Sequence, residues 1–566
     1  MSEMMDWFRH ELKAQIDGIT VTVPSRWAEK RRIMGPPFPG PYTFKYHPWC
    51  RGLHDSKASW NVSLKSAQAG FTEVGINMAL YAVDVLKTNV LYVLPTLAEA
   101  SDFSKSRFNP ALRMSEYLKT VFTDTNNVGL KMAGNVSLYV RGSRGDSNLK
   151  SIPVSFLILD EMDEMDQSQI ELAFQRLRGQ PQKRVWMIST PTVPNKGVSL
   201  QYASTTQEHF RFKCPGCNRW DEFIFPDSIY LCGTAMNDPD CHKSRYQCTM
   251  CKYQFTQWTD DQNIIHQDDK LMALTNTGTW VPTVTGTDPD RRGFKINQLY
   301  SYTVSAGEIV IDSFKAQTNA FANQEFHKSV LGEAFIGENS NVTDEMIQRL
   351  IKQYNCKQLS LKPKEDRMIT LGIDRGTWCY YVVCEWFYPQ FSYDLNENAE
   401  SRILDAGKFH EEDFDVIPDR LMQEWQIRAA MVDMDPGPAD ARRFARRFPG
   451  FVWLNRYREG RTGKEMTIDD DGTYAPIATV DRTNWLDISM GRFFSGRIEL
   501  PMDIPLGFSE HIQNLVRVYE ENKHGNAIAV YKNYGPDHYA HALNYAEIAL
   551  PCAASIATNQ NIGKFL

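Results

Sequence analysis

The segment that most constrains the fold is a strand, a loop and a helix in direct succession at residues 61–81, NVSLKSAQAGFTEVGINMALY. The apolar run at 62–64 predicts a short buried strand, and the apolar positions after Thr72 recur at helical spacing. A phosphate-binding loop reads G-x-x-x-x-G-K-[ST], in which backbone N–H groups surround the phosphates and a lysine reaches them. Gly70 and Thr72 fit the last glycine and the hydroxyl of that pattern, but Phe71 stands in the lysine position.

Lys65 stands where the first glycine of the pattern belongs. Because a phosphate-binding loop wraps around its ligand, a lysine at its start can bring its ammonium to the same phosphates on a flexible stem. We predict that Lys65 replaces the missing lysine and that Thr72 holds Mg²⁺; the alternative is a chance Gly/Thr turn before a helix. The loop residues predicted to bind ATP are Lys65, Ser66, Ala67, Gln68, Ala69, Gly70, Phe71 and Thr72.

Two later strands carry the other groups that ATP hydrolysis needs. The apolar strand SFLILDE at 155–161 ends in two carboxylates. We predict that Asp160 holds the Mg²⁺ of the bound nucleotide and that Glu161 polarises the attacking water. The strand MISTPT at 187–192 ends in small hydroxyl residues that could sense the γ-phosphate. Strands that alternate with helical stretches predict an α/β fold with a parallel sheet, here a P-loop ATPase domain of the ASCE type.

Two C-x₂-C motifs stand about thirty residues apart in a segment without long apolar periodicity. Their cysteines are Cys214, Cys217, Cys248 and Cys251. Four thiolates suit tetrahedral Zn²⁺, and such a site leaves no open position for catalysis. We therefore predict a structural zinc in a zinc-ribbon-like insertion; the alternative is a reduced, metal-free pair of motifs. Three further residues lie between the motifs: Cys232, Cys241 and His242. Each is an alternative metal ligand, and the two cysteines could instead be buried thiols.

The last third of the chain places carboxylates at strand ends and at a helix start. Asp374 ends the first strand of a predicted hairpin at 367–387, Asp433 ends the strand AAMVD, and Asp537 begins a late helix. This order is that of an RNase H-like nuclease, in which such carboxylates hold two divalent metals. We predict these three aspartates as catalytic, metal-binding residues. Four alternatives stay open. Asp435 could be the metal ligand in place of Asp433, and Asp405 is a weaker candidate ligand. His541 could contact metal or phosphate, and Asp537 could simply cap its helix.

The composition sets further limits on function. The net charge of −7 gives no overall signature of nucleic-acid binding. The arginines of the segment ADARRFARRFPG recur at helical spacing, which is typical of a solvated helix face but also suits a DNA contact. No apolar run reaches the roughly 18–20 residues of a membrane span, and the first residues lack a signal-peptide pattern. We expect a cytosolic protein without membrane contact.

The ATPase motifs resemble a known family. The segments RWAEKRRI, LKSAQAGFTEVGIN, LYVLPTLAEASDFSKSRFNPAL and LILDEMDEM…STPT of residues 26–191 stand in the order found in large terminase subunits of tailed phages, in the GpA-like branch. Many members carry Gly-Lys-Thr in the loop, and others carry the lysine at its start, as here.

The resemblance implies a DNA-packaging motor. Such a protein hydrolyses ATP to drive double-stranded DNA into a procapsid, and its nuclease domain cuts concatemeric DNA with Mg²⁺ or Mn²⁺. The resemblance also implies a portal protein and a small terminase subunit as partners, and a ring oligomer, predicted to be a pentamer. The expected location is the host cytoplasm and, transiently, the portal of the procapsid, but not the mature virion.

Family motors use an arginine finger, often from a neighbouring subunit, to neutralise charge in the transition state. Arg141 and Arg144 precede the acidic strand, and we predict Arg144 as a catalytic residue. Lys150 lies closer to the strand but lacks the planar guanidinium. The alternative is that RGSRGD is a solvated loop.

We predict six segments: a lead-in at 1–60, an ATPase core at 61–204, a cysteine-rich insertion at 205–285, the rest of the ATPase or a linker at 286–350, an RNase H-like domain at 351–552, and a flexible tail at 553–566. Two rival functions remain. One is an ATP-dependent helicase or restriction-type nuclease, and the other is a capsid-docking adaptor with a decayed loop.

Overall fold

The computed structural model describes residues 22–558 except 37, 145–148, 150–151, 261–263, 362–366, 389–394, 459–464, 470–471, 473–474 and 523. The chain divides into two compact units, Met1–Ile336 and Gly337–Leu566. Each unit is built on its own β-sheet, so each one buries its own apolar strands.

The described part of the first unit contains an eleven-stranded sheet whose central strands are parallel. Its strands, in order across the sheet, are Trp220–Asp221, Glu208–Lys213, Arg291–Ile296, Trp60–Lys65, Arg184–Ser189, Phe156–Asp160, Val90–Leu94, Val136–Gly142, Leu130–Ala133 and Thr125–Asn126, with Thr279–Pro282 paired to Glu208–Lys213. The strand Arg184–Ser189 lies between the loop strand and the acidic strand, so these two are not direct neighbours. The alternation of strands and helices predicted from the sequence is confirmed.

Helices cover the sheet of the first unit. The α-helices are Pro24–Arg31, Trp49–His54, Phe71–Asp84, Leu97–Phe103, Asn109–Met114, Glu116–Val121, Gln167–Gln175, Gly197–Ala203, Asp268–Thr277, Ala306–Ala316 and Ala320–Glu325. Shorter helical turns of π or 3₁₀ geometry are Ser104–Phe108, Met162–Glu164, Pro239–Lys243, Gln298–Tyr300 and Phe326–Leu331. Two-stranded ribbons pair Ile33–Met34 with Gly40–Pro41, Ile229–Tyr230 with Arg245–Tyr246, and Trp258–Thr259 with Ile265–His266.

The described end of the lead-in is part of the first core. Trp27 in the helix Pro24–Arg31 is fully buried, and its indole Nε1 donates to Asp84 Oδ2 at 2.8 Å. The predicted lead-in at 1–60 thus contributes to the first core from residue 22 onward, because this helix buries apolar side chains against the helix Phe71–Asp84. Residues 1–21 lie outside the described residues.

Eight strands form the main sheet in the described part of the second unit. In order they are Met466–Asp469, Ile477–Val480, Val452–Tyr457, Ala429–Asp433, Met368–Asp374, Trp378–Phe387, Glu400–His410 and Ile498–Glu499. The hairpin predicted at 367–387 is confirmed as an antiparallel pair. A separate ribbon pairs Leu515–Glu521 with Ala527–Asn533. The helices are Asp344–Leu350, Gln358–Leu361, Leu395–Asn398, Glu411–Asp413, Ile417–Trp425, Ala439–Arg447, Arg482–Ser495, Phe508–Gln513 and His538–Thr558.

The long helix His538–Thr558 packs across one face of this sheet. A side chain at Gly372 would clash with the backbone of Ala542 and Ala546, so the glycine permits the close approach. The residues 553–558 belong to the helix, and Ala553 is buried, so the predicted flexible tail is wrong for that stretch. The residues 559–566 lie outside the described part of the chain.

The boundary between the units falls fourteen residues before the predicted 350/351 division. Val342, Ile347 and Leu350 are buried in the core of the second unit. The helix Asp344–Leu350 belongs there because its apolar face packs on that core.

A fully buried ion pair fastens the long helix to its neighbours. Arg492 donates to both oxygens of Glu547, at 2.5 Å and 2.7 Å, and also to the carbonyls of Asn396 and Ala399. Both charged side chains are almost inaccessible to solvent. The guanidinium of Arg492 and the carboxylate of Glu547 therefore neutralise each other in the absence of solvent.

We predict that Arg492→Leu lowers the free energy of unfolding of the second unit by about 3–5 kcal/mol, because it leaves Glu547 charged and buried. The double variant Arg492→Leu/Glu547→Leu should regain most of the loss. Arg443→Leu is the control, because its ion pair with Asp415 is about half exposed, and it should cost no more than about 1 kcal/mol. Denaturant unfolding of the full chain measures all three, and equal losses in the single and double variants would contradict the prediction.

Candidate nucleotide, metal and carboxylate sites

The loop at 66–70 joins the buried strand Trp60–Lys65 to the helix Phe71–Asp84. Gly70 has a φ of +82°, which an L-side chain rarely adopts, and it directly precedes the helix. The loop is anchored from outside, because the Ala67 N–H donates to Ser329 O at 2.8 Å. The amides at the start of the helix can receive an anion, since they have no partner within the helix.

Phe71 does not take the place of a phosphate-binding lysine. Its side chain is 1% exposed and packs in the main hydrophobic core of the first unit. A lysine at this position would have to bury its ammonium in that core. The aromatic ring therefore serves packing, and the charge for a phosphate has to come from another residue.

Lys65 supplies a charge at the carboxyl end of its strand. Its Nζ donates to Glu161 Oε1 at 2.6 Å, although the two residues end strands that are separated by a third. Burial alone would lower the pKa of Lys65, but the carboxylates of Glu161 and Asp160 outweigh it and raise the pKa above its ordinary value. The ammonium is therefore charged and placed among acidic groups at this edge of the sheet.

Asp160 is 1% exposed beneath Lys65 and Glu161. The Tyr92 hydroxyl donates to its Oδ2 at 2.6 Å, whereas its Oδ1 has no hydrogen bond of normal geometry among the described residues. Burial raises the pKa of Asp160 to about 6, while Lys65 opposes the shift. A buried carboxylate oxygen without a donor fits a hard cation such as Mg²⁺. Thr72 also lines the cavity beside it.

Glu161 has a backbone conformation that is unusual for its residue type. Its φ is +60°, in the left-handed region, and its N–H donates to Ile188 O at 2.8 Å. Non-glycine residues in this region are strained by about 1–3 kcal/mol and often occur at functional sites. The conformation ends the acidic strand sharply and turns the Glu161 side chain toward Lys65.

Sequence reasoning missed Asp163, which connects the acidic strand to the hydroxyl-rich segment after the next strand. Its carboxylate accepts the N–H of Thr192 at 2.8 Å and that of Val198 at 2.6 Å. Its own N–H donates to Ser189 Oγ at 3.1 Å. The motif DEMDEM contained a signal for it, a further carboxylate after the strand end, but not its partners.

A cavity of about 680 Å³ opens beside these groups. Lys65, Thr72, Asp160 and Glu161 line one side, and aromatic residues from elsewhere line the other. Phe38 stacks on Tyr46 with ring centroids 4.6 Å apart, and Tyr46 lies 5.4 Å from Tyr302. The cavity therefore combines a charged end with an aromatic wall, which suits a ligand with phosphates and a flat base.

The cysteine-rich segment supports part of that wall. The side chain of Gln267 donates to Tyr302 O at 2.8 Å, and Lys270 Nζ donates to Ser301 O at 2.7 Å. Lys270 is buried, which lowers the pKa of its ammonium well below the ordinary value. The predicted insertion is thus connected to the cavity through the segment 301–303.

The two predicted arginines do not line this cavity. Arg141 turns back onto its own strand region and donates to the carbonyls of Gly129 and Val140. Arg144 is exposed, and Lys150 lies outside the described residues. Arg107 lines the cavity, and its Nη1 lies 3.7 Å from Glu73 Oε1. Sequence reasoning missed this residue.

The four cysteines of the two C-x₂-C motifs come together. Among the described residues they are the group whose possible ligand atoms all lie within 4.8 Å of one another. Two of the sulfur–sulfur distances are 3.7 Å and 3.9 Å, close to the roughly 3.8 Å edge of a tetrahedron with metal–sulfur bonds of about 2.3 Å. The set could hold a metal ion. Cys232, Cys241 and His242 are not part of it, and Cys241 is buried.

In the second unit, Asp374 and Asp433 end two neighbouring parallel strands in matching register. His538 Nδ1 lies 2.8 Å from Asp374 Oδ2, and this contact raises the pKa of the imidazole. Asp435 is exposed, and its N–H donates to Asp433 Oδ1 at 3.2 Å. This geometry favours Asp433 over Asp435 as the partner of Asp374.

Asp537 precedes the long helix, and its Oδ2 lies 3.3 Å from His541 Nε2. Burial would raise the pKa of Asp537, but the neighbouring histidine and Arg482 lower it below the ordinary value. Within the described residues, the three aspartates do not form a set with all ligand atoms within 4.8 Å. The structure thus brings two of them side by side and pairs the third with a histidine.

Two weaker sequence candidates have other surroundings. Asp405 pairs with Val383 in the sheet, which places it roughly 10 Å along and roughly 10 Å across from Asp374. In the helix Ala439–Arg447, Arg447 binds Asp415 and Asp419 at 2.8 Å, which favours an ion-paired helix face over a DNA contact.

The fold defines a two-unit α/β protein, with a nucleotide-sized cavity in the first unit and paired carboxylates in the second. Residues 37–280 match the family model described as phage terminase large subunit gpA, ATPase domain. Residues 37–280 are therefore similar to the ATPase domain of the gpA-type large terminase subunits of phages, and the resemblance predicted from the sequence is confirmed.

Two curated relatives and one solved structure show further similarities to this chain. The chain is 23% identical over 341 residues to the terminase large subunit of Escherichia phage lambda, and 22% identical over 338 residues to that of Enterobacteria phage P21. Each match covers 55% of this chain and 51% of the relative, so the chain spans about half the length of the curated relatives it matches. The HK97 bacteriophage large terminase shows a TM-score of 0.44 at 10% identity, over 93% of this chain and 99% of that structure.

A search of the described helices finds none that is both long and apolar enough to cross a membrane.

The paired aspartates predict a dependence of stability on pH. Burial, followed by the charge of Asp374, raises the pKa of Asp433 to about 7, whereas an unfolded aspartate has a pKa of about 3.9. Between these values the folded chain keeps a proton that the unfolded chain has lost, so stability falls as pH rises toward 7. Without divalent metal, Asp433→Asn should therefore match wild type near pH 4 and exceed it by a few kcal/mol at pH 8.

Thermal or denaturant unfolding in the presence of a chelator measures this difference. Asp469→Asn is the matched control, because Asp469 is exposed and should show no pH-dependent gain. A gain for Asp433→Asn that is the same at pH 4 and pH 8 would contradict the raised pKa.

Proposed function

We propose that this protein is the large subunit of a phage DNA-packaging motor. Its first unit hydrolyses ATP to translocate double-stranded DNA into a procapsid, and its second unit cuts concatemeric DNA in a metal-dependent reaction. The observation that carries the proposal is the convergence of Lys65, Asp160 and Glu161 on one cavity, within a segment that matches the gpA ATPase family.

In the ATPase, Lys65 is the residue that neutralises the β- and γ-phosphates. Its ammonium is paired with Glu161 in the structure. Phosphate oxygens compete for the same ammonium, and their binding frees the Glu161 carboxylate to orient and polarise a water molecule. Asp160 and Thr72 would hold Mg²⁺, which supplies charge neutralisation on the phosphates. The ion pair thereby links binding of the nucleotide to release of the catalytic carboxylate.

Asp163 gives the site a connection to the rest of the first unit. It binds the segment 190–198 through two backbone N–H groups, next to the strand that lies between Lys65 and Asp160. A movement of Glu161 on loss of the γ-phosphate is transmitted to Asp163 through the 3₁₀ turn Met162–Glu164. This short path couples hydrolysis to the segment 190–198.

In the nuclease, Asp374 and Asp433 would hold divalent metal, and Asp537, which is paired with His541, would be the third carboxylate. Bound Mg²⁺ or Mn²⁺ would activate water and stabilise the leaving oxygen of the phosphodiester. The high pKa of Asp433 fits this role, because a cation favours the doubly ionised pair that the metal-free protein disfavours.

The partners follow from the family. We propose a ring oligomer, a pentamer, on the portal protein of the procapsid, with a small terminase subunit that recognises DNA. Contacts to DNA phosphates should be sequence-independent and salt-dependent. We propose Arg144, which lies at the surface, as the finger that acts on a neighbouring subunit, while Arg107 acts within its own chain.

The experiment that tests the ATPase compares turnover in wild type, Lys65→Ala and Glu161→Gln. We expect both variants to lose at least about 100-fold in kcat, since each removes charge stabilisation or water activation from the transition state. Glu161→Gln should still bind a fluorescent ATP analogue, whereas Lys65→Ala should bind it weakly. Lys119→Ala is the matched control, because this exposed lysine pairs with Glu116 on the surface. Wild-type turnover in Lys65→Ala would refute the loop assignment, and an inactive wild type would favour the decayed adaptor.

We further propose that the cysteine cluster binds one structural Zn²⁺ and stiffens the segment next to the cavity wall. Metal analysis of the purified protein should give about one zinc per chain. Cys251→Ser should lose the zinc and lower the thermal midpoint, because three thiolates cannot complete the site. Cys232→Ser should keep the metal, since Cys232 lies outside the cluster. Zinc near zero in wild type would remove the assignment.

A further inference from the structure

Asn455 is a buried amide that lacks partners. Its side chain is 0% exposed, and neither its Oδ1 nor its Nδ2 has a hydrogen bond among the described residues. Buried polar groups are almost always paired, and an unpaired one destabilises the fold. A leucine of similar size would be the more stable residue at this position. An amide retained under these conditions points to a ligand.

The sheet places Asn455 beside the paired aspartates. Its strand Val452–Tyr457 is the parallel neighbour of Ala429–Asp433, and Asp433 and Asn455 are register partners. Asp374 extends the same row on the other side of Asp433. Register partners on parallel strands point to the same face and lie about 4.8 Å apart. Asp374, Asp433 and Asn455 therefore form one row across three adjacent strands.

The face that carries this row is the one under the long helix. Trp453 and Tyr457, two residues before and after Asn455, pack in the same core as that helix. Asn544 on the helix donates to the Tyr457 hydroxyl at 2.8 Å. The amide is thus enclosed between sheet and helix, on the side where Asp374 meets His538.

The chemistry of the row favours a neutral oxygen at this place. Asp374 and Asp433 already repel each other when both are ionised, and a third carboxylate would add to that repulsion. An amide oxygen is a hard ligand for Mg²⁺ or Mn²⁺ and adds no charge. Asn455 can therefore complete a cation site without making the metal-free row more acidic.

We propose that Asn455 is a further ligand of the divalent metal in the second unit, bound through Oδ1 next to Asp433. This assignment rests on the proposed nuclease. Asn455 lies on the flank of Asp433 that faces away from Asp374 and would add a ligand from that side, so it would determine how tightly the cation binds. The rival interpretation is a buried amide with a purely structural role.

The two interpretations differ in metal binding and in stability. The probe is Mn²⁺ alone, measured as the shift of the thermal midpoint of the full chain without DNA. We expect Asn455→Leu to keep or raise the metal-free midpoint but to need at least about 10-fold more Mn²⁺ for the same shift, as lost ligand-site residues do. Asn455→Asp should lower the metal-free midpoint and give a larger Mn²⁺ shift. Asp374→Ala should abolish the shift, and Asn355→Leu, at an exposed asparagine of the same unit, should leave it unchanged.

Cleavage of plasmid DNA with Mn²⁺ is the second readout. Asn455→Asp, wild type and Asn455→Leu should need increasing Mn²⁺ concentrations for half-maximal cutting, and Asp374→Ala should not cut. If the wild type does not cut DNA but binds Mn²⁺, and this binding is lost in Asp374→Ala, the nuclease is refuted. The assignment of Asn455 as a metal ligand would still be supported. An Asn455→Leu protein with the Mn²⁺ dependence of wild type, or an Asn455→Asp protein with a smaller shift, would overturn the assignment.

Discussion

Both candidate sites depend on one geometric constraint, the meeting of the carboxyl ends of parallel strands at a single edge of a sheet. In the first unit this edge brings Lys65 and Glu161 together although 96 positions separate them in the chain. In the second unit it aligns Asp374 with Asp433. Each strand contributes one or two polar residues directly after a buried apolar run. Functional groups from distant segments thereby converge without long loops to carry them.

The charges at these edges are balanced differently in the two units. The ammonium of Lys65 compensates the buried carboxylates in the first unit, and their attraction outweighs the cost of its burial. The second unit has carboxylates side by side, with histidines as partial partners, and burial together with the charge of Asp374 raises the pKa of Asp433 to about 7. The first site is therefore preorganised for a phosphate anion together with its Mg²⁺, and the second site for a divalent cation alone. This difference matches the division into nucleotide hydrolysis and metal-dependent cutting that we propose.

Much of the architecture could be predicted because the periodicity of apolar residues is local. The strands around Val62, Leu159 and Ile188 were recognisable as short apolar runs, and the hairpin at 367–387 as two such runs in succession. Within the predicted lead-in, no sequence pattern indicated that the Trp27 helix is buried or that Tyr46 belongs to an aromatic wall. Asp163 and Asn455 could not be found in this way. Their significance comes from the partners that they have or lack, and no spacing along the chain encodes those partners.

The sequence by itself determined the chemical inventory: a lysine at the start of a loop, carboxylates at strand ends, and four cysteines in two motifs. These follow from residue identity and from spacing over a few positions, which the covalent chain enforces. Only the tertiary structure decided that Phe71 belongs to the core, that Lys65 faces Glu161 across an intervening strand, and that the four sulfurs meet. Strand order and register arise from packing between segments about 100 residues apart, and short-range patterns do not contain that information.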